Sequence, residues 1–172
     1  SIEQYEEVVA RIRDRVPEAA IHTDIIVGFC GETEEQFMDT YRHLERVRAD
    51  KVHLAKYSER PRTVATRNFD DDVPADEKER RRKMIDDLQK EITTEKMKRY
   101  QDRTVEILVD GRDEKSGRWR GRTPRAKLVY LDDDRELLGQ TVDVHIERTG
   151  PWCLIGHAAD RPAAPTPEPQ PA

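Results

Sequence analysis

The stretch that decides the fold is Thr23-Asp24-Ile25-Ile26-Val27-Gly28-Phe29-Cys30-Gly31-Glu32-Thr33. A short β-branched, apolar run ends at a glycine, turns, and leads into an amphipathic helix, for which Thr33 and Gln36 have the spacing of a capping box. This order predicts a buried parallel strand whose carboxyl end opens into a glycine-lined turn. In α/β proteins ligands bind at that end of a strand, because free backbone amides and nearby side chains converge there.

Helices and strands alternate on both sides of this stretch. Apolar residues at helical spacing predict a helix from Ser1 that stops near Pro17, and a second helix follows Thr33. Residues 21–29 and 51–58 are the predicted strands. The order helix, strand, helix, strand predicts a parallel sheet with right-handed crossovers. Two strands cannot form an independent α/β core, so we expect the sheet to be completed by the rest of a larger domain.

The middle of the chain predicts a loop and then a linker. The loop is Ser58-Glu59-Arg60-Pro61-Arg62-Thr63-Val64-Ala65. Residues 71–101 predict a linker helix, along which Ile85, Leu88 and Ile92 form one narrow apolar stripe. Acidic residues balance the basic run 80–83, which favours a solvated helix face over an RNA contact there.

Short alternating runs replace the helical pattern from Arg103 onward. They predict strands at residues 104–109, 118–122, 127–131, 141–147 and 152–156. Five short strands in this length are typical of a small closed or partly open barrel, similar to an OB fold. The tail 159–172 carries five of the ten prolines and is predicted to be disordered.

The net charge and the amino-acid composition exclude several classes of function. The net charge is −5, with 39% charged and 35% apolar residues, which excludes a wholly basic nucleic-acid binder and leaves RNA contact to a local patch. The apolar runs are too short for a membrane span, and the opening residues do not resemble a signal peptide. Cys30 and Cys153 lack the spacing of metal ligands or of a disulfide scaffold. We therefore expect a cytoplasmic protein without membrane contact.

One basic patch does stand out. Residues 112–127 contain seven Lys or Arg side chains and two carboxylates. Trp119 lies among the arginines and would stack on an exposed RNA base if it pointed outward. The alternative is a hairpin whose Trp119 packs inward, and alternation along the strand favours it, since Arg118, Arg120 and Arg122 then share the opposite face.

Two motifs in the first half resemble those of the radical S-adenosylmethionine methylthiotransferases. The opening stretch is similar to that family's D-I-I-V-G-F-P-G-E-T, its fifth barrel strand, with Cys30 in place of the proline. The loop 58–65 is similar to the family's Y-S-x-R-P-G-T-x-A, which follows the sixth barrel strand, with Arg62 in place of the glycine.

The second half resembles the TRAM domain that ends these enzymes. The matching residues are Val109-Asp110-Gly111, Gly121-Arg122-Thr123, Lys127-Leu128-Val129, Leu138-Gly139 and Cys153-Leu154-Ile155-Gly156. The segment from Gly121 to Val129 is more similar to the branch that modifies tRNA than to the branch that acts on a ribosomal protein. Two departures are Ala126, where the family has asparagine, and Pro124.

The resemblance implies a fold of mixed class, α/β plus all-β. Residues 1–70 would be the last βα units of a partial TIM-like radical-SAM barrel, 71–101 a linker helix and 102–158 a TRAM barrel. The chain would be the carboxyl-terminal part of an enzyme whose N-terminal domains lie outside it. That enzyme adds a methylthio group to C2 of N(6)-isopentenyladenosine beside the anticodon, using S-adenosylmethionine and two 4Fe-4S clusters. The chain lacks the CxxxCxxC motif of the radical-SAM cluster, so alone it is expected to be inactive.

The resemblance also implies two sets of site residues. The cofactor side would comprise Asp24, Val27, Gly28, Phe29, Tyr57 and Ser58, with Gly28 leaving room for adenine or ribose. The anticodon stem-loop of tRNA would contact Arg118, Arg120, Arg122, Arg125 and Lys127. No catalytic or metal-binding residue is predicted. The alternatives are a methylthiotransferase for an aspartate of a ribosomal protein, and a non-catalytic RNA-binding module.

Overall fold

The computed structural model describes residues 1–160, which fold into two compact units, Ser1–Thr93 and a second that begins at Thr94. The predicted disordered tail falls almost wholly outside the described residues. The helices are α1 (Ile2–Arg15), α2 (Glu34–Val47), α3 (Val64–Asn68) and α4 (Ala75–Met97), followed by a 3₁₀ turn (Lys98–Tyr100). The strands are β1 (His22–Val27), β2 (Lys51–Lys56), β3 (Thr104–Arg112), β4 (Trp119–Arg122), β5 (Leu128–Leu131), β6 (Thr141–Thr149) and β7 (Leu154–Ala158). None of the helices within residues 1–160 is long and apolar enough to cross a membrane.

Capping boxes begin the first two helices. In α2 the Thr33 hydroxyl accepts a hydrogen bond from the Gln36 amide at 3.2 Å, and the Gln36 side chain accepts one from the Thr33 amide at 3.0 Å. Ser1 and Gln4 form the same reciprocal pair at the start of α1. These bonds satisfy amides that the helix itself leaves without partners. They fix the point at which the glycine turn after β1 becomes helix.

The two strands of the first unit are parallel, as the order of elements predicted, with Val27 opposite Lys56. Val27, which is fully buried, forms one core with Phe37 and Leu44 of α2, against which Ile25 and Leu54 also pack. On the opposite face Asp24 is exposed and Ile26 remains 58% exposed. The sheet is therefore covered by helices on one face only, within the described residues.

Helix α4 completes that core. Its apolar stripe, Ile85, Leu88 and Ile92, packs in the same cluster as Val27 and Phe37. The sequence indicated a linker helix with a narrow stripe, and the structure gives that stripe a buried role in the first unit. The predicted boundaries at residues 70 and 101 stay a prediction. A boundary at 70 would separate the sheet from the helix that covers it.

The second unit contains the predicted five strands, closed into a barrel in the order β3-β4-β5-β7-β6. The strand ends differ by a few residues from prediction: β3 continues to Arg112, and β7 begins at Leu154 and continues to Ala158. The core contains apolar residues from all five strands and also Met97 and Tyr100. The barrel core thus begins before the first strand.

At two glycines, a barrel strand lies unusually close to the backbone of its neighbouring strand. A Cβ on Gly156 would lie 2.0 Å from the His145 carbonyl oxygen, and one on Gly121 would lie 2.7 Å from that of Leu108. Backbone atoms cannot yield at such distances without moving a strand. Both glycines belong to segments that the sequence singled out, and their role here is to let β-strands pack closely.

Candidate functional site

The carboxyl ends of β1 and β2 lie side by side. The Tyr57 amide donates to the Val27 carbonyl at 2.8 Å, directly after the two strands end. The residues that follow, Gly28 with Phe29 and Tyr57 with Ser58, are therefore brought to one edge of the sheet. Four of the six residues predicted on the cofactor side meet there, as expected for a parallel sheet.

Three aromatic rings form a partly exposed cluster at this edge, which we call the aromatic edge. The centroid of the Phe29 ring lies 5.0 Å from that of Tyr57 and 6.3 Å from that of Phe69, in edge-to-face geometry. Phe69 follows α3, a short helix in a region where the sequence predicted only a loop and a linker. Nothing in the local pattern of the sequence connects Phe69 with β1.

The six predicted residues differ in access. Asp24, Phe29 and Ser58 are exposed and Tyr57 is half-buried, whereas Val27 and Gly28 are buried. Val27 points into the helix-covered core, so it supports the edge and cannot contact a ligand on the open face. The accessible residues of the predicted cofactor side are therefore Asp24, Phe29, Ser58 and, in part, Tyr57.

Gly28 has a tight environment. Its φ is +70°, its amide donates to the Glu32 carboxylate at 2.7 Å, and a Cβ would lie 2.3 Å from Cγ of Lys78. Glycine is required both by the left-handed backbone and by this approach. The space that Gly28 was predicted to leave for adenine or ribose holds the methylene chain of Lys78 in this structure.

Lys78 is only 7% exposed although it carries a charge. Its ammonium donates to both carboxylate oxygens of Asp71, at 2.5 and 2.7 Å, and to the Tyr57 carbonyl at 3.4 Å. A buried charge requires such partners, since desolvation without them costs several kcal/mol. Lys78 thereby connects α4, the segment before it and the end of β2.

Arg81, one turn further along α4, makes a second connection. It donates to the Glu32 carboxylate and to the Glu77 carboxylate, both at 2.7 Å, and to the Glu32 carbonyl at 2.9 Å. Hydrogen bonds from Arg80, and to a smaller extent from Arg81, lower the pKa of Glu77 to about 2. Arg81 is buried. The basic run 80–83 is therefore not a uniformly solvated face.

Cys30 lies beside the aromatic edge as a free, half-buried thiol. A hydrogen bond with Cys30, together with desolvation, raises the pKa of Tyr57 to about 12. The Tyr57 phenol thus stays protonated over the physiological range. Cys30 is thus the hydrogen-bonding neighbour of the Tyr57 phenol at the aromatic edge.

The donor set of the chain does not suit an iron–sulfur cluster. Among residues 1–160 no group of three or more His, Cys, Asp or Glu side chains is placed to hold a metal ion. The two cysteines are both free thiols and lie in different units. Clusters of this kind need three or four cysteine ligands at one point. The residues of this chain do not fit such a cluster.

The predicted RNA-binding arginines of β4 lie beside carboxylates. Arg120 is 2.7 Å and Arg122 is 3.6 Å from Asp110 of β3, and Arg118 is 3.1 Å from Asp132. The sequence pattern missed the Asp110 pairs because a bulge in β3, between Val109 and Gly111, decides which side chains oppose β4. It missed the Arg118–Asp132 pair because that contact depends on the register between β4 and β5. The local positive charge is smaller than the sequence indicated.

The remaining two predicted residues lie around the turn that joins β4 to β5. Lys127 is 7% exposed, and its amide donates to the Thr123 hydroxyl at 3.1 Å. Arg125 is half-buried. The turn is fixed by a bond from the Ala126 amide to the Thr123 carbonyl at 2.8 Å, with Ala126 at φ +56°. Lys127 is thus buried, and Arg125 is only partly accessible.

Trp119 packs inward. It is 3% exposed, and its indole N–H lies 3.0 Å from the carbonyl oxygens of both Asp133 and Arg135. The suggestion that it stacks on an RNA base is therefore wrong, and the inward alternative is confirmed. The exposed tryptophan is Trp152, in the turn before β7.

Comparison with known protein families identifies the domain family of the barrel. Residues 98–159 match the TRAM domain family, so the closed five-stranded barrel is a TRAM domain. The matched segment includes the 3₁₀ turn and Tyr100, in agreement with the extent of the barrel core.

The longer similarity is to proteins named tRNA-2-methylthio-N(6)-dimethylallyladenosine synthase. The chain is 43% identical over 152 residues to that of Dehalococcoides mccartyi, covering 88% of this chain and 36% of the relative. It is 44% identical over 159 residues to that of Roseiflexus, covering 91% and 33%. For Chloroflexus aurantiacus the identity is 43% over 159 residues, covering 91% and 34%.

The methylthiotransferase resemblance is thereby confirmed over about nine-tenths of the chain. The chain spans about a third of the length of these curated relatives. At 152 to 159 residues the match is much longer than the TRAM segment, so it includes most of the first unit as well.

Proposed function

We propose that this chain is the carboxyl-terminal part of a tRNA methylthiotransferase that modifies C2 of N(6)-isopentenyladenosine beside the anticodon by radical-SAM chemistry. The observation that carries the proposal is the identity of 43–45% to named synthases over most of the chain. The fold agrees with this role, since two neighbouring βα units precede a TRAM barrel.

In this proposal the first unit contributes one side of the cofactor pocket. S-adenosylmethionine, when bound in the complete enzyme, supplies the radical chemistry and the methyl group. Phe29 and Tyr57 present aromatic surface that excludes water from that side. Asp24 and Ser58 are exposed and would offer hydrogen bonds to the cofactor. The two 4Fe-4S clusters would be held by residues of the N-terminal domains, outside this chain.

The TRAM domain would hold the anticodon stem-loop of the tRNA in the cytoplasm. The residues assigned to this contact are Arg118, Arg120, Arg122, Arg125 and Lys127. Guanidinium groups bind phosphates and fix the register of the RNA, while base contacts provide selectivity. Since several of these side chains already have carboxylate partners, RNA would have to compete with Asp110 and Asp132.

Deleting the reading frame that encodes this chain tests the function directly. The tRNA of the deletion strain should contain N(6)-isopentenyladenosine and lack its 2-methylthio derivative, as measured by mass spectrometry of digested nucleosides. Restoring the gene should restore the derivative. Unchanged tRNA, together with the loss of a methylthio group from a ribosomal-protein aspartate, would assign the chain to the other branch.

The isolated chain should bind tRNA and catalyse nothing. After anaerobic reconstitution with iron and sulfide, and reduction with dithionite, 5′-deoxyadenosine should stay at the level of a protein-free control. The reason is that the cysteine ligands for a cluster are missing from the chain. Formation of 5′-deoxyadenosine above that control would contradict the proposal that the catalytic clusters lie elsewhere.

A further inference from the structure

An open cleft of about 330 Å³ lies in the second unit, and its lining includes none of the β4 arginines. It is bounded by the 3₁₀ turn, the first residues of β3 and the β4–β5 turn. Three of its lining residues are arginines, Arg99, Arg103 and Arg125, and the apolar part of its wall includes Tyr100 and Val105. The sequence assigned a function only to Arg125 among these.

The backbone and one ring hold the first two arginines in place. The Arg99 guanidinium lies 5.0 Å from the centroid of the Tyr100 ring and donates to the Tyr100 hydroxyl at 3.1 Å. The Arg103 amide donates to the Tyr100 carbonyl at 3.1 Å, and its carbonyl accepts from Ile146 at 2.9 Å. Both arginines are therefore attached to the barrel core, because Tyr100 and Ile146 belong to it.

These arginines differ from those of β4 in their surroundings. Arg118 and Arg120 lie within 3.1 Å of Asp132 and Asp110. Arg99 and Arg103, in contrast, share the lining of the cleft with one carboxylate, Glu106. A guanidinium carries five N–H donors, so the single bond from Arg99 to Tyr100 leaves it able to bind a phosphate through two parallel hydrogen bonds. The net charge of the lining favours an anion.

We propose that this cleft is an RNA subsite that binds one nucleotide, with Arg99 and Arg103 on its phosphate and its base against the wall of Tyr100 and Val105. The inference rests on the proposed tRNA-binding function and deepens it, since it assigns the principal contact to Arg99 and Arg103 and not to the β4 arginines. The volume is in the range of small-ligand pockets, and apolar surface beside guanidiniums suits a base next to a phosphate better than an acidic peptide.

The first test removes two positive charges from the cleft. In the whole chain, Arg99→Gln with Arg103→Gln should weaken tRNA binding about tenfold or more, because each arginine contact to a phosphate is charge-assisted. The slope of log K against log salt should fall by about one for each phosphate that the variant no longer neutralises. Fluorescence anisotropy with labelled tRNA at several salt concentrations measures both quantities.

The charge-matched control is Arg42→Gln with Arg46→Gln on α2, in the first unit. It should leave the affinity and the salt slope close to those of the unchanged chain. Fluorescence of the buried Trp119 shows whether the barrel of each variant is folded. If the cleft variant is folded and binds tRNA as the control does, the proposal is overturned.

A second variant is expected to gain affinity, a result that misfolding of the barrel would not produce. Glu106→Gln removes the carboxylate from the cleft, so it should raise tRNA affinity about twofold to fivefold. Glu114→Gln makes the same change in the hairpin that carries the β4 arginines, and should alter affinity less. A larger gain from Glu114→Gln than from Glu106→Gln would place the RNA on the hairpin and overturn the proposal.

The experiments distinguish failure of the cleft proposal from failure of the proposed function. If the unchanged chain binds tRNA and the cleft variants do likewise, only the cleft assignment fails. If the unchanged chain does not bind tRNA, both proposals fail. Perturbation of the cleft arginines by poly-glutamate and not by an RNA oligonucleotide, observed by NMR, would also overturn the subsite in favour of an acidic protein partner.

Discussion

Gly28, at the end of β1, is constrained both by its left-handed backbone and by the close approach of Lys78. We expect Gly28→Ala to lower the free energy of unfolding of the first unit by about 2–4 kcal/mol, the sum of the left-handed backbone cost and displacement of Lys78. Urea unfolding followed by far-UV circular dichroism measures it, because most of the helical residues lie in the first unit.

Gly31→Ala is the matched control for that change. Gly31 has φ +74° and no atom within 4 Å of a Cβ, so only the backbone cost of about 1 kcal/mol should remain. Equal losses for the two variants would show that the Lys78 side chain moves away freely and does not constrain position 28.

The first turn of α4 should be sensitive to acid. The pKa of Glu77 is about 2, below its ordinary value of 4.5. Its charged form therefore stabilises the fold fully above pH 4.5, and this contribution is lost as pH falls from about 4.5 to about 2. We expect the stability of the first unit to decrease over this window, and Glu77→Gln to reduce the pH dependence there.

Circular dichroism at a series of pH values tests this prediction with an internal control. Both tryptophans of the chain, Trp119 and Trp152, lie in the second unit. The acid transition seen by tryptophan fluorescence should therefore be the same with and without Glu77→Gln. A shift of the fluorescence transition and none in circular dichroism would contradict the assignment of Glu77 to the first unit.

Elements were predictable where a local pattern specifies them, and their partners were not. The capping residues Ser1 and Thr33, the parallel strands and the five barrel strands follow from spacing within short windows. The stripe on α4 was equally visible, but its burial beside Val27 depends on a contact between distant segments.

The contacts of the candidate site were predictable to the same extent, namely where they follow from a local pattern. Phe29 and Tyr57 were expected at one edge, since parallel strands end together. The methylene chain of Lys78 against Gly28 could not be read from either residue, because it depends on where α4 begins relative to β1. The carboxylate partner of Arg120 likewise depends on a bulge in β3.

The two units should differ in independence when they are expressed apart. We expect residues 94–160 to fold as a stable monomer, and 102–158 to be less stable, since loss of Met97 from the core alone costs about 2–5 kcal/mol. Thermal unfolding followed by the fluorescence of Trp119 compares the two. Equal melting temperatures would show that Met97 and Tyr100 contribute little.

For the first unit, the corresponding comparison is between residues 1–70 and residues 1–93. Residues 1–70 lack Ile85, Leu88 and Ile92, and should aggregate or remain molten, while 1–93 should gain helical structure and a cooperative transition. Even 1–93 is expected to associate, because its two-stranded sheet leaves Ile26 exposed and its outer strand edges unpaired in the described residues. A sharp transition of 1–70 as a monomer would contradict this account.

The contact between Gly28 and Lys78 also has an evolutionary consequence. The two positions lie far apart in the chain, yet the space at one is set by the side chain at the other. Among related sequences they should covary: glycine should be retained at position 28 wherever position 78 has a long side chain. Asparagine, which tolerates a left-handed backbone, should occur at position 28 only where position 78 is short.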